Sequence, residues 1–253
     1  MGQSSSKNAV TTGLKHCTLW KTDRSPACRA VMMALDAMNL SITEVDVNMD
    51  KGEHRSPELA VFNPLQTLPI FKDRELVICD SHAINTYLAS RYCDSGRFLP
   101  KDPGGRALTE QVMHYDSGVL YPRYRAAAYP IMYENCRFVM PQNVCEIECA
   151  YRDLEGMLVG RTWVGGSWPT LADITVAATV STLSVLVPID KLRYPRLSGW
   201  LYRMSEEIYY ITANKKGLGE FARRIDLGVY DESDFKCPRS SIKRRGCGPE
   251  KHS

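Results

Sequence analysis

No run in the chain approaches the roughly 20 apolar residues that span a bilayer, and the start has no apolar signal-peptide core. The sequence therefore predicts a body that is neither membrane-spanning nor exported. Cys-x-x-Cys pairs are missing too. The nine cysteines, at 17, 28, 79, 93, 136, 145, 149, 237 and 247, are odd in number and irregular in spacing. That excludes a disulfide framework and a paired-cysteine zinc site, and it fits reduced, cytosolic thiols. Cys145 and Cys149 stand one helical turn apart, a spacing read as packing rather than ligation. There is no internal repeat, and the net charge is only +3. That charge is uneven. Residues 236–251 hold six basic side chains against Glu250, a local net of +5, which leaves the rest near −2. A nearly neutral body offers phosphates no electrostatic footprint, so nucleic acid is excluded as a partner.

At 253 residues and 44% apolar content the chain suits one or two globular domains with a real core. From Leu14 to Cys93 the order is strand, helix, strand, helix, strand, strand, helix. Ala27, Ala30, Val31, Ala34, Leu35 and Met38 recur at helical steps as one buried stripe. Thr43 to Val47 alternates, with Val45 and Val47 expected inward and Glu44 and Asp46 in solvent. Residues 95–105, rich in Gly and Pro, read as a linker, and residues 106–225 are helical throughout. Thr170 and Asp173 form a capping box before the apolar stretch Ile174 to Leu186, a helix for the middle of a bundle. The division predicted is a disordered leader 1–13, an α/β domain 14–94, the linker, an all-α domain 106–225 and a basic, disordered tail 226–253.

Ser25-Pro26-Ala27-Cys28-Arg29 places Ser25 at a helix N-terminus, where unpaired N–H groups and a partial positive charge favour an anion. The frame is that of a redox Cys-Pro-x-Cys turn with serine in place of the first cysteine. Serine forms no mixed disulfide, but its hydroxyl can donate to another molecule's thiolate. Taken alone, Ser-Pro reads first as a plain helix cap.

Asn63-Pro64-Leu65-Gln66-Thr67-Leu68-Pro69 before a short strand, then Asp80-Ser81-His82 opening a helix, resembles the thioredoxin-like half of a glutathione transferase. Lys51-Gly52-Glu53-His54, Ser56-Pro57-Glu58 and residues 116–123 resemble the insect delta/epsilon classes, with an epsilon-like cast. The resemblance covers about Leu14 to Arg224 and implies a thioredoxin-like domain followed by an all-α helical bundle.

It implies a site as well. Ser25 would stabilise the thiolate of glutathione, the cosubstrate. Pro69 would be a cis-proline that turns the Leu68 backbone toward the tripeptide, and Asp80 and Ser81 would hold the γ-glutamyl end. His54 would meet the glycyl end, though taken alone it reads as a surface residue. Gln66, Thr67 and His82 belong to the same set. Gln66 stands where these classes carry histidine, so it can hydrogen-bond a carboxylate without adding charge. Tyr121, Tyr124, Arg125, Tyr129 and Tyr133 would line the pocket for a small apolar electrophile, with Pro130 kinking the helix beside them. No metal is implied, and a homodimer is.

Two rival readings keep the fold. One is a non-catalytic protein that binds glutathione or lipophiles; the other is a glutathione-dependent isomerase or dehydrochlorinase. The ends add a separate expectation. Met1 to Lys7 fits the myristoylation pattern with Gly2 as acceptor, and the basic tail with Cys247 would supply the second membrane signal to a cytoplasmic protein.

Overall fold

The computed structural model describes residues 11–93 and 95–225. Gly2, residues 1–10 of the predicted leader and the basic tail from residue 226 lie outside the described residues; the leader's last two residues, Thr12 and Gly13, already belong to the first strand. No described helix is long and apolar enough to cross a membrane.

The first half alternates strand and helix in the order the sequence predicts. β1 (Thr12–Lys21), α1 (Pro26–Ala37) and β2 (Leu40–Asp46) make a parallel crossover unit. α2 (Pro57–Ala60) follows, then the antiparallel β3 (Ile70–Asp73) and β4 (Leu76–Ile78), then α3 (Ser81–Tyr92). Strand order is β2-β1-β3-β4, the mixed sheet of a thioredoxin-like domain. β2 begins three residues before the predicted strand, and Val45 is exposed where alternation puts it inward. The reason is position: β2 is an edge strand, and cover reaches only its start and the following Val47.

The helical half holds α4 (Pro103–Tyr115), a π-helical turn at Asp116–Leu120, α5 (Tyr121–Tyr133), α6 (Pro141–Met157), α7 (Leu171–Leu186), α8 (Pro195–Glu206), α9 (Ile208–Ala213) and α10 (Lys215–Arg224). The predicted linker is therefore too long. Asp102 accepts from the Gly105 N–H at 2.6 Å, and Pro103 sits in the first turn, where its missing N–H costs nothing. Residues 103–105 thus start α4. Cys145 departs from its packing expectation in being exposed on α6.

α7 is buried nearly all round, as its composition requires. Its capping box forms: the Thr170 hydroxyl accepts from Ala172 N at 3.2 Å, and Asp173 accepts from Thr170 N at 3.0 Å. The same carboxylate accepts from Val164 N, Gly165 N and the Trp200 indole, so one residue ties α7 to α8 and to the preceding loop. Gly165 is obligatory there, because a Cβ would lie 1.9 Å from the Thr170 hydroxyl oxygen.

α1 packs against α3, α7 and α9, so Cys28, Arg29 and Met33 are buried beyond its predicted stripe, while Ala27 is only half-buried. Arg29 is fully buried, donating to Asn214 Oδ1 at 2.6 Å and Thr182 Oγ1 at 2.5 Å. Burial pulls its pKa down to about 10, which leaves it charged at neutral pH. This cation fastens the helix that begins at Ser25 to the helical half. On the far side, Pro130 lies inside α5 and cannot bond the Ala126 carbonyl. Asn143 of α6 donates to that carbonyl instead, at 2.9 Å.

Candidate active site

A cleft of about 1230 Å³ opens between the two halves. Ser25 stands on its wall as the N-cap of α1. Its hydroxyl oxygen accepts from the Cys28 N–H at 3.4 Å, so its own O–H remains free to donate. The Ala27 N–H has no partner among the described residues, and Ala27 lines the cleft beside it. Cys28, the surviving cysteine of the redox-like frame, is wholly buried. Burial pushes its thiol up to about 11, more than the hydrogen bond from Thr22 N offsets, so it stays protonated and inert.

The loop from Asn63 to Pro69 forms the next stretch of wall. Asn63, 1% exposed, is its internal brace: the amide donates to the Thr67 carbonyl at 2.8 Å and the Thr67 hydroxyl at 3.0 Å, and Oδ1 accepts from Leu65 N. The brace holds Gln66 in the left-handed region at φ 53°, and the Leu68–Pro69 bond is cis. Gln66, Thr67, Leu68 and Pro69 all line the cleft.

At the start of α3, Asp80 Oδ1 accepts from the N–H groups of His82 and Ala83, while Oδ2 has no partner among the described residues. Ser81 is buried beside it, its hydroxyl 3.5 Å from His82 Nδ1. His82 Nε2 reaches across to Asp116 Oδ2 at 3.0 Å, joining α3 to the π-helical turn. Burial would lower the His82 pKa, but the Asp116 and Asp80 carboxylates outweigh it and the net shift is upward. His54 is not a surface residue: it is buried in a 3₁₀ turn at Glu53–Arg55, and its Nδ1 is unpartnered. Burial, then Arg55, hold its pKa below the ordinary value, so it lines the cleft as a neutral imidazole.

The opposite wall is a ladder of tyrosines on α5. Ring centroids lie 5.5 Å apart for Tyr121 and Tyr124, 6.3 Å for Tyr124 and Tyr129, and 5.5 Å for Tyr129 and Tyr133. Tyr124 is the buried floor and Tyr133, half exposed, is the mouth. Burial raises the hydroxyl pKa of Tyr121 and Tyr124, so both remain neutral donors. Arg125 lies over the Tyr129 ring at 4.8 Å. Tyr115, close by in sequence, turns away to donate to Asp153 and Ala150.

The sequence model described as Glutathione S-transferase, N-terminal domain, matches residues 15–90. Glutathione S-transferase 1 of Manduca sexta is 39% identical over 202 residues, covering 79% of this chain and 93% of that protein. The chain belongs to the glutathione S-transferase family. Among solved structures of glutathione S-transferases, an epsilon-class enzyme from the housefly Musca domestica superposes with a TM-score of 0.82 at 30% identity, covering 84% of this chain and all of that one. A glutathione transferase homologue from Drosophila mojavensis with bound glutathione gives 0.80 at 33% identity, with 83% and 95% covered. The delta/epsilon resemblance read from the sequence agrees with these neighbours.

In this glutathione S-transferase every described candidate site residue, from Ser25 to Tyr133, lines the same cleft. Other contributors carry no local signal. Asn63 is part of a motif in the sequence, and only its burial reveals the brace. Asp116 belongs to a class-like stretch, and nothing local pairs it with a histidine 34 positions earlier. Arg224 closes the cleft from α10, a helix so distant in sequence that no spacing argument reaches it.

Proposed function

We propose that the protein transfers glutathione to small apolar electrophiles, a detoxifying chemistry in which Ser25 stabilises the thiolate that attacks. The observation that carries this is the division of labour at Ser25. Its oxygen is occupied as a cap, which fixes the side chain, while its proton remains available to an anion in the cleft.

A free thiol ionises near pH 8.5, and lowering that by two units needs roughly 2.7 kcal/mol of preference for the thiolate. One charge-assisted hydrogen bond from Ser25, with the α1 terminus and its free Ala27 N–H behind it, is of that size. In this reading the 14–94 domain holds glutathione. The Leu68 backbone pairs with the cysteinyl part, Asp80 Oδ2 takes the ammonium, the buried Ser81 and the α3 terminus take the α-carboxylate, and the neutral His54 and Gln66 donate to the glycyl carboxylate. The 106–225 domain holds the electrophile against the tyrosine ladder. Rate comes from holding both reactants together beside a preset electrostatic environment.

The test is conjugation of an aryl halide by the parent and by Ser25→Ala across pH. The variant is expected to lose most of its rate at mildly acid pH and to recover as the thiol ionises unaided. An unchanged profile would reject the assignment.

We further infer a cytoplasmic homodimer, whose mass sedimentation would read directly. Reversible membrane attachment through Gly2 and the basic tail is the remaining part of the reading. It is sunk if Gly2→Ala leaves the membrane-bound fraction in cells unchanged.

A further inference from the structure

We propose that the electrophile carries an anionic group, held at the mouth of the cleft by Arg224 and Arg125. This rests on the transferase reading and narrows its substrate to apolar or aromatic compounds bearing a carboxylate or similar oxyanion.

Arg125 is fixed against the face of Tyr129 at 4.8 Å, and Arg224 is fixed by donating from Nη2 to the Met132 carbonyl at 3.3 Å. Both therefore keep N–H edges that no described residue uses, in the planar geometry that matches a carboxylate. Neither lies within ion-pair distance of a carboxylate among the described residues. Arg24, on the other wall of the same cleft, shows the contrast: Asp50 neutralises it at 2.7 Å. Glu134 is the one acidic side chain that the helical half contributes to the cleft lining among the described residues, and it pairs with neither arginine, so two guanidinium groups outnumber one carboxylate there.

The two cations belong to the electrophile and not to glutathione. The carboxylates of the tripeptide are met on the thioredoxin-like wall by His54, Gln66 and the α3 terminus. The arginines sit with the tyrosine ladder, Arg125 on α5 itself and Arg224 against the carbonyl that precedes Tyr133. A flat ring stacked on Tyr121, Tyr124 and Tyr129 would leave a substituent on its outer edge beside them.

Two probes isolate the charge: an ortho-nitro aryl chloride with a para carboxylate, and the same compound as its primary carboxamide. In both, the glutathione thiolate forms a bond to the ring carbon, chloride leaves with the bonding electron pair, and the thiol proton has already passed to solvent. Each variant is compared with the parent on the same compound, so the intrinsic reactivities of the two compounds cancel. Losing one charge-assisted contact in Arg224→Gln should lower kcat/KM for the carboxylate about tenfold more than for the carboxamide, mainly through KM. Arg125→Gln should do the same, and the double variant should abolish the preference. Equal losses on both compounds, or no loss, would overturn the proposal. Binding of both compounds in the presence of unreactive S-methylglutathione gives a second readout. If the parent turns over neither compound yet binds the carboxylate better, and Arg224→Gln removes that difference, the clamp stands and the transferase reading falls. If binding shows no difference, the clamp falls.

Discussion

Asn63 grips Thr67 twice, at its backbone carbonyl from 2.8 Å and at its hydroxyl from 3.0 Å, through one buried amide group. With Leu65 N bound to the same side chain, a single residue sets the path of the loop that carries Gln66 and Leu68 to the cleft.

Replacing Asn63 with Ala removes three hydrogen bonds at about 1 kcal/mol each and leaves a cavity, so a stability loss of roughly 3 kcal/mol is expected. The more telling effect is kinetic. KM for glutathione should rise several-fold while KM for the electrophile changes little, because the brace acts on one half of the cleft. Steady-state kinetics with each substrate varied in turn measures both.

The pair His82 and Asp116 makes stability depend on pH in a defined direction. The folded state raises the His82 pKa, so it binds that proton more tightly than the unfolded chain does. The resulting stabilisation is complete below the ordinary histidine value of about 6.5 and is lost as pH rises through the higher folded value. His82→Gln should therefore melt furthest below the parent in mildly acid buffer, with the gap closing toward alkaline pH. Asp116 Oδ1 already lacks a partner, so the variant also takes from this buried side chain the imidazole that faces its other oxygen. A melting-temperature difference that is flat across pH would contradict this.

Gly165→Ala tests the other half. Its methyl group would stand 1.9 Å from the Thr170 oxygen and 2.9 Å from Asp173 Oδ2, so the capping box must open. A loss of at least about 3 kcal/mol is expected, from the cap and the strain together. Chemical denaturation of the variant beside the parent measures it, and Asp173→Asn should reproduce much of the loss without the clash.

What the sequence reveals and conceals follows from the range of each interaction. The order of strands and helices in the first half is written in local period, and the capping box of α7 in a three-residue spacing, so both are legible. Val45 is misread because alternation states which residues could face inward, while an edge position decides whether anything covers them. Residues 103–105 are misread because Pro and Gly signal a turn until Asp102 is seen to cap them. The cleft is different in kind. Ser25, Pro69 and Asp80 are recognisable through a resemblance that packages distant positions together. Arg224 and the partnership of His82 with Asp116 depend on how two halves meet, and no local pattern records that.

Cys28 carries a last consequence. The turn it belongs to has the frame of an electron-transfer motif, yet its sulfur is sealed behind the wall, and burial likewise holds the Cys79 thiol above its ordinary value. Among the described residues, peroxide entering the cleft meets no cysteine thiolate: Cys28 is sealed away and the Cys79 thiol is held protonated. The thiolate that reacts there arrives with each glutathione and departs with each product, so among the described residues its oxidation consumes a replaceable molecule rather than a cysteine of the fold.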